Sequence, residues 1–111
     1  MANFLSDSEC PLSYTLSIIG GKWKSLIIYT LSQNGVLRYS ELKKNLSAIS
    51  HETKISHKIL SQQLKELEEF KMIERKEYQE VPPKVEYVLT QKGKSIMPIL
   101  ESMHEWGQNN I

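Results

Sequence analysis

The sequence predicts an α+β fold in which helices flank a two-stranded ribbon. Two observations carry this. Apolar residues recur at spacings of three and four through 57–71 and 91–106, the period of an amphipathic helix. Between these segments, the runs 72–78 and 84–89 read as strands joined by a loop containing Pro82-Pro83, where no ladder N–H is needed. A length of 111 residues with 40% hydrophobic content suits one domain spanning 1–111, with an ordered core over about 10–106.

The elements follow in order. Cys10-Pro11 opens a short helix over 12–19, with proline in the first turn where its missing N–H costs nothing. Gly20-Gly21 ends it. A second helix over 22–32 carries Trp23, Leu26, Ile27, Tyr29 and Leu31, dense enough to lie centrally in a core. Gln33-Asn34-Gly35 marks a stop, and 36–39 is extended. Ser40 is expected to cap a third helix, with Glu41 in the first turn and Leu42 and Leu46 on one face. After a polar stretch over 47–54, Ser56 caps a stronger helix over 57–71, whose core stripe is Leu60, Leu64 and Leu67, flanked by Ile59 and Phe70. Thr90 caps a last helix over 91–106, where Ile96, Ile99, Leu100, Met103 and Trp106 form a broad apolar stripe and Gly107 offers a stop.

The net charge of +1 hides an asymmetry. Between Lys22 and Lys65 stand eight Lys/Arg and two acids, a balance of +6, whereas the remainder has six Lys/Arg and eleven acids, a balance of −5. A basic middle suits a polyanion-facing surface; the alternative is a solvated lysine face.

Two short helices followed by a ribbon make a winged helix-turn-helix. The leucine stripe of 57–71 leaves His57, Lys58, Ser61, Gln62 and Lys65 facing out, donors and acceptors suited to base edges and phosphates in a major groove. Glu66, Glu68 and Glu69 fall near the C-terminus, where they oppose the helix dipole, so folding alone is not expected to explain them. The ribbon is then the wing, with a stiff Pro82-Pro83 tip and Lys76 and Lys84 beside backbone phosphates. Lys22 at a helix start and Arg38 ahead of the Ser40 helix are further candidate phosphate contacts.

The motifs CPL, IGGKWKSLIIYTL, LRYSELKKNL and ILSQQLKELEEFKMIERKEYQEVPPKVEYVLT resemble those of the HxlR-type winged helix-turn-helix transcriptional regulators, over about 10–106. The resemblance implies a homodimeric DNA-binding regulator, most simply a repressor of a pseudo-palindromic operator. Its additional N- and C-terminal helices would form the dimer interface, here through Leu12, Leu16, Ile96, Leu100, Met103 and Trp106. One departure is a repeated unit: Ile49-Ser50-His51 recurs as Ile55-Ser56-His57, an apparent insertion of six residues. Either serine could cap the recognition helix; Ser56 is preferred because Ile59-Leu60 follow at the usual spacing. The inserted His51, Glu52 and Lys54 either add a DNA contact or loop out.

Cys10 is the only cysteine, so no internal disulfide forms, which fits a reducing cytoplasm. Just ahead of a helix, it is a candidate thiol sensor of oxidants or electrophiles, with Asp7 and Glu9 opposing the thiolate; the alternative is an inert packed residue. No signal peptide or membrane-spanning run is expected. Gly20-Gly21 lacks the other glycines of a dinucleotide loop, and no Gly-Lys-Ser/Thr phosphate loop is present. His51-Glu52 does not extend to a zinc motif, because position 55 is Ile. The expectation is therefore no enzyme, no metal and no cofactor. Double-stranded DNA and a second copy of the chain are the expected partners, and a winged-helix module for protein contact is the alternative.

Overall fold

A computed structural model describes residues 10–49 and 54–111. Six helices and a small sheet follow one another as α1 (Pro11–Ile19), α2 (Lys24–Asn34), β1 (Val36–Arg38), α3 (Tyr39–Ile49), α4 (His57–Glu69), β2 (Ile73–Tyr78), β3 (Lys84–Leu89), α5 (Gln91–Ser95) and α6 (Met97–Asn110). The sheet is antiparallel throughout, in the order β1-β3-β2.

The core is built where the helical stripes meet one face of this sheet. Ile27, Ile28 and Leu31 of α2 pack with Leu42 and Leu46 of α3 and with Leu60, Leu64 and Leu67 of α4. Alternation along the strands turns Leu37, Ile73, Tyr87 and Leu89 toward these helices. In the register, Arg75 stands opposite Tyr87, on the helix side, while Lys76 and Arg38 both stand opposite Glu86, on the far side.

Local chemistry sets several boundaries differently from the sequence reading. The second helix begins at Lys24, with Trp23 at its N-cap, so Lys22 lies ahead of the helix. Tyr39 is helical, and Ser40 does not cap α3. The Glu41 carboxylate instead accepts the Arg38 N–H at 2.9 Å, the reach-back half of a capping box. Ser56 does cap α4, its hydroxyl accepting the Ile59 N–H at 3.1 Å; Ser50, His51 and Glu52 lie outside the described residues. That helix ends at Glu69 because Lys71 takes the left-handed conformation (φ 64°), returning its own N–H to Glu68 and that of Met72 to Leu67. The C-terminal helix is two pieces. Pro98 supplies no N–H, so the chain breaks at Ile96 between α5 and α6, and Gly107 sits inside α6.

Two side chains of the segment that follows β3 tie it to the helices. The Thr90 hydroxyl donates to the Lys71 carbonyl at 2.6 Å and accepts the Gly93 N–H at 3.0 Å. Lys92 reaches both the Tyr14 hydroxyl (2.6 Å) and the Phe70 carbonyl (2.7 Å), joining α1, the end of α4 and α5. Gly93 permits the closeness, since a Cβ there would stand 2.1 Å from the Met72 carbonyl oxygen.

Lys24 is buried in α2, and its ammonium donates to the Glu66 carboxylate at 2.7 Å. The hydrogen bond from Lys24 holds the Glu66 carboxyl below its usual range, against the opposing effect of burial. Folding thus gives Glu66 a reason for its place that the sequence reading did not find.

Removing only the acid strands the buried ammonium. Glu66→Ala is expected to destabilise the fold by about 1–3 kcal/mol, reduced from the fully buried case because Glu66 is 36% exposed. Lys24→Met should cost less, since a similar apolar volume replaces it. Denaturant unfolding across pH checks the sign. With a folded pKa below the unfolded one, the advantage over Glu66→Gln is full above about 4.3 and disappears as pH falls through the folded value.

Candidate nucleic-acid interface

The leucine stripe of α4 points inward, so His57, Lys58, Ser61, Gln62 and Lys65 lie exposed along its outer edge. The Ser56 cap fixes where this edge begins. His57 is the first helical residue and is held from the side. The Tyr39 hydroxyl lies 2.6 Å from its Nδ1, and the two rings meet edge to face at 5.3 Å.

A cleft of about 500 Å³ separates α4 from the sheet, with Tyr39, His57, Ser61, Lys65, Arg75 and Tyr87 among its lining residues. Burial pushes the Tyr87 phenol above its ordinary pKa, and hydrogen bonding to the Arg75 guanidinium partly offsets this. Sequence reasoning missed Tyr39 and Arg75. Strand alternation from buried Ile73 could have placed Arg75 on the helix side. No spacing rule brings Tyr39 to His57, because the two stand 18 residues apart on separate helices.

The far face of the wing carries the expected lysines in a different arrangement. Lys76, Glu86 and Arg38 form a row across the three strands, so one acid stands between two cations. Lys84 is 3.4 Å from Glu86 and lies over the Tyr78 ring at 4.8 Å, and is already engaged within the wing. The Tyr78 hydroxyl, donating toward Glu86, holds that carboxyl below its usual range, with Lys84 and Arg38 adding to the effect. Pro82 and Pro83 are exposed at the wing tip, after a cis Val81–Pro82 bond. Lys22 is exposed ahead of the Trp23 N-cap, with its ammonium over the Trp23 ring at 5.0 Å.

The residues expected at a subunit interface divide. Leu12 (62% exposed), Leu16, Met103 and Trp106 (69%) lie open on α1 and α6, joined by Ile99. Leu100 is 5% exposed and belongs to the protomer's own core, against which Ile96 also packs. Leu100 therefore offers no outward apolar face, a correction to the sequence expectation. Cys10 caps α1, its Sγ accepting the Ser13 N–H at 3.5 Å, and is buried. Asp7 and Glu9 lie outside the described residues. Among the described residues no helix is long and apolar enough to cross a membrane.

A helix pair, a capped and polar-edged second helix, and an adjoining wing define a winged helix-turn-helix regulator of transcription. The chain belongs to the HxlR-like helix-turn-helix family, which matches residues 18–111. MalR of Fusobacterium mortiferum is 52% identical over 102 residues, 92% of this chain and 91% of that protein. An uncharacterized HTH-type transcriptional regulator of Halalkalibacterium halodurans is 50% identical, covering 92% and 85%. Among solved structures, the redox regulator HypR in its oxidized form superposes with a TM-score of 0.80 at 39% identity, covering 92% of this chain and 98% of that one. These relatives are described as regulators, the second of them as a regulator of transcription, and the family as helix-turn-helix proteins.

Glu86 makes the wing testable without a ligand. The Tyr78 phenol is raised above its ordinary value of about 10 by its hydrogen bond to Glu86. Glu86→Gln should bring it back down, seen as an earlier phenolate transition in an ultraviolet absorbance titration, with Tyr78→Phe identifying the band. An unchanged Tyr78 transition would mean that the two side chains do not meet.

Proposed function

We propose that this regulator is a homodimer that binds a pseudo-palindromic operator and represses transcription. The observation that carries the reading is the outer edge of α4. Its N-terminal part presents His57, Lys58, Ser61, Gln62 and Lys65 to solvent, while Glu66 is turned to Lys24, and Glu68 lines the cleft beside Ser61 and Lys65. A helix so divided enters a major groove N-terminus first, with Lys58 and Lys65 placed for phosphates and Ser61 and Gln62 for base edges. Arg38 of β1, Lys76 and the Pro82-Pro83 tip of the wing then stand beside the duplex, and Lys84 reaches a phosphate only by leaving Glu86. The open apolar residues Leu12, Leu16, Met103 and Trp106 supply the subunit contact, which spaces the two recognition helices about one turn, ~34 Å, apart.

Selection of bound duplexes from a random pool tests this. An inverted repeat with half-sites one turn apart is expected; no enrichment by a folded protein would contradict it. On the selected duplex, Lys58→Ala should weaken binding to all sequences and lower the salt slope by about one. Gln62→Ala should cost about 1–3 kcal/mol and relax preference at particular base pairs. Equal behaviour of the two variants would remove this assignment of α4.

A redox response through Cys10 is supported by its place at the N-cap, where the helix dipole and the Ser13 N–H both favour thiolate, although burial opposes it. HypR, described as a redox regulator, is similar in fold and sequence. Cys10→Ser should bind the operator as the reduced protein does and lose all sensitivity to a thiol oxidant. Retained sensitivity would exclude this sulfur as the sensor.

A further inference from the structure

We infer that Tyr39 is a positioning residue that sets the tautomer of His57, so that His57 Nε2–H serves as a hydrogen-bond donor to an acceptor on the duplex. This deepens the DNA-binding reading above and rests on it.

The geometry of two hydrogen bonds carries the inference. A phenol hydroxyl has one hydrogen to donate. Two acceptors lie near the Tyr39 oxygen: His57 Nδ1 at 2.6 Å and the His57 carbonyl oxygen at 3.5 Å. The first is a short, strong contact and the second is at the limit of a hydrogen bond. The reverse direction, Nδ1–H donating to the Tyr39 oxygen, would leave the phenol hydrogen only the 3.5 Å carbonyl among the described residues, so we take the phenol as donor to Nδ1. In the neutral ring an accepting Nδ1 obliges Nε2 to carry the proton, because the partner of one nitrogen fixes the state of the other. Among the described residues, Nε2 has no hydrogen-bond partner.

The edge-to-face contact at 5.3 Å adds a second restraint, limiting rotation of the ring. Tyr39 is itself placed firmly. It is the first residue of α3, behind the Arg38 N–H that Glu41 caps, and its ring packs on the core. The result is one oriented donor at the N-terminal end of the recognition helix, in the same cleft wall as Ser61 and Lys65. The acceptors that suit it are guanine N7 or O6, thymine O4, or a phosphate oxygen.

The experiment combines long-range proton–nitrogen spectra of the His57 ring with binding to the selected duplex. Spectra are taken in mildly alkaline buffer, with His57→Ala assigning the signals. In the wild-type protein His57 should show the Nε2–H form; in Tyr39→Phe it should become a mixture. Tyr39→Phe should weaken operator binding roughly fivefold, the worth of about one net hydrogen bond, while thermal unfolding shows that the domain stays folded. In a His57→Ala background the same change should do nothing further. Loss confined to one base pair assigns a base-edge acceptor, and loss shared by all duplexes assigns a phosphate oxygen. An Nδ1–H ring in the wild-type protein, unaltered affinity, or additive losses would overturn the inference while leaving DNA binding intact. Failure to select any duplex would overturn the DNA reading itself, whatever the spectra show.

Discussion

Burial of one leucine stripe governs the rest of the molecule. Leu60, Leu64 and Leu67 are almost wholly removed from water, in the core that α4 shares with α2 and the sheet. Turning α4 about its axis would expose them, at about 1.5–3 kcal/mol for each side chain. The stripe therefore fixes which edge of α4 meets solvent. His57, Lys58, Ser61, Gln62 and Lys65 face outward because the leucines cannot.

The wing is held to the same helix by short polar links. Thr90 bonds to the Lys71 carbonyl where α4 ends, and Lys92 reaches the Phe70 carbonyl and Tyr14. Ile73 and Tyr87 anchor the inner face of the ribbon in the core, leaving its tip and far face in water. A cleft thus separates two elements whose relative position is set by covalent brevity at one end and by packing at the other. Arg75 and Lys65 line it from opposite sides. Around Glu86, by contrast, the positive charge of Lys84 is partly balanced within the wing, by the Glu86 carboxylate and the Tyr78 ring.

Much of this was legible in the sequence, for identifiable reasons. Periodicity placed the leucine stripe and the outward edge of α4, and the Pro82-Pro83 loop between two runs marked the strands. Cap chemistry chose Ser56 and Thr90 correctly because their hydroxyls satisfy local amides. The same rule failed at Ser40, where the Glu41 carboxylate accepts the Arg38 N–H and the helix starts two residues earlier than that cap implies. Pro98 was a visible helix breaker, yet the apolar stripe running through it concealed the division into α5 and α6. The pairs Lys24–Glu66 and Tyr39–His57 span 42 and 18 residues and carry no spacing signal. Leu100 was misassigned because an apolar stripe wide enough to serve two surfaces does not say which position faces which.

The most direct measurement is a map of backbone amide shifts on titration with a duplex that the protein selects. The leucine-locked orientation of α4 predicts that the largest changes run from His57 to Lys65, continue at the wing tip in the Val81 and Lys84 amides that flank Pro82-Pro83, and spare the buried side of the helix. Changes confined to the apolar faces of α1 and α6, with α4 silent, would contradict it.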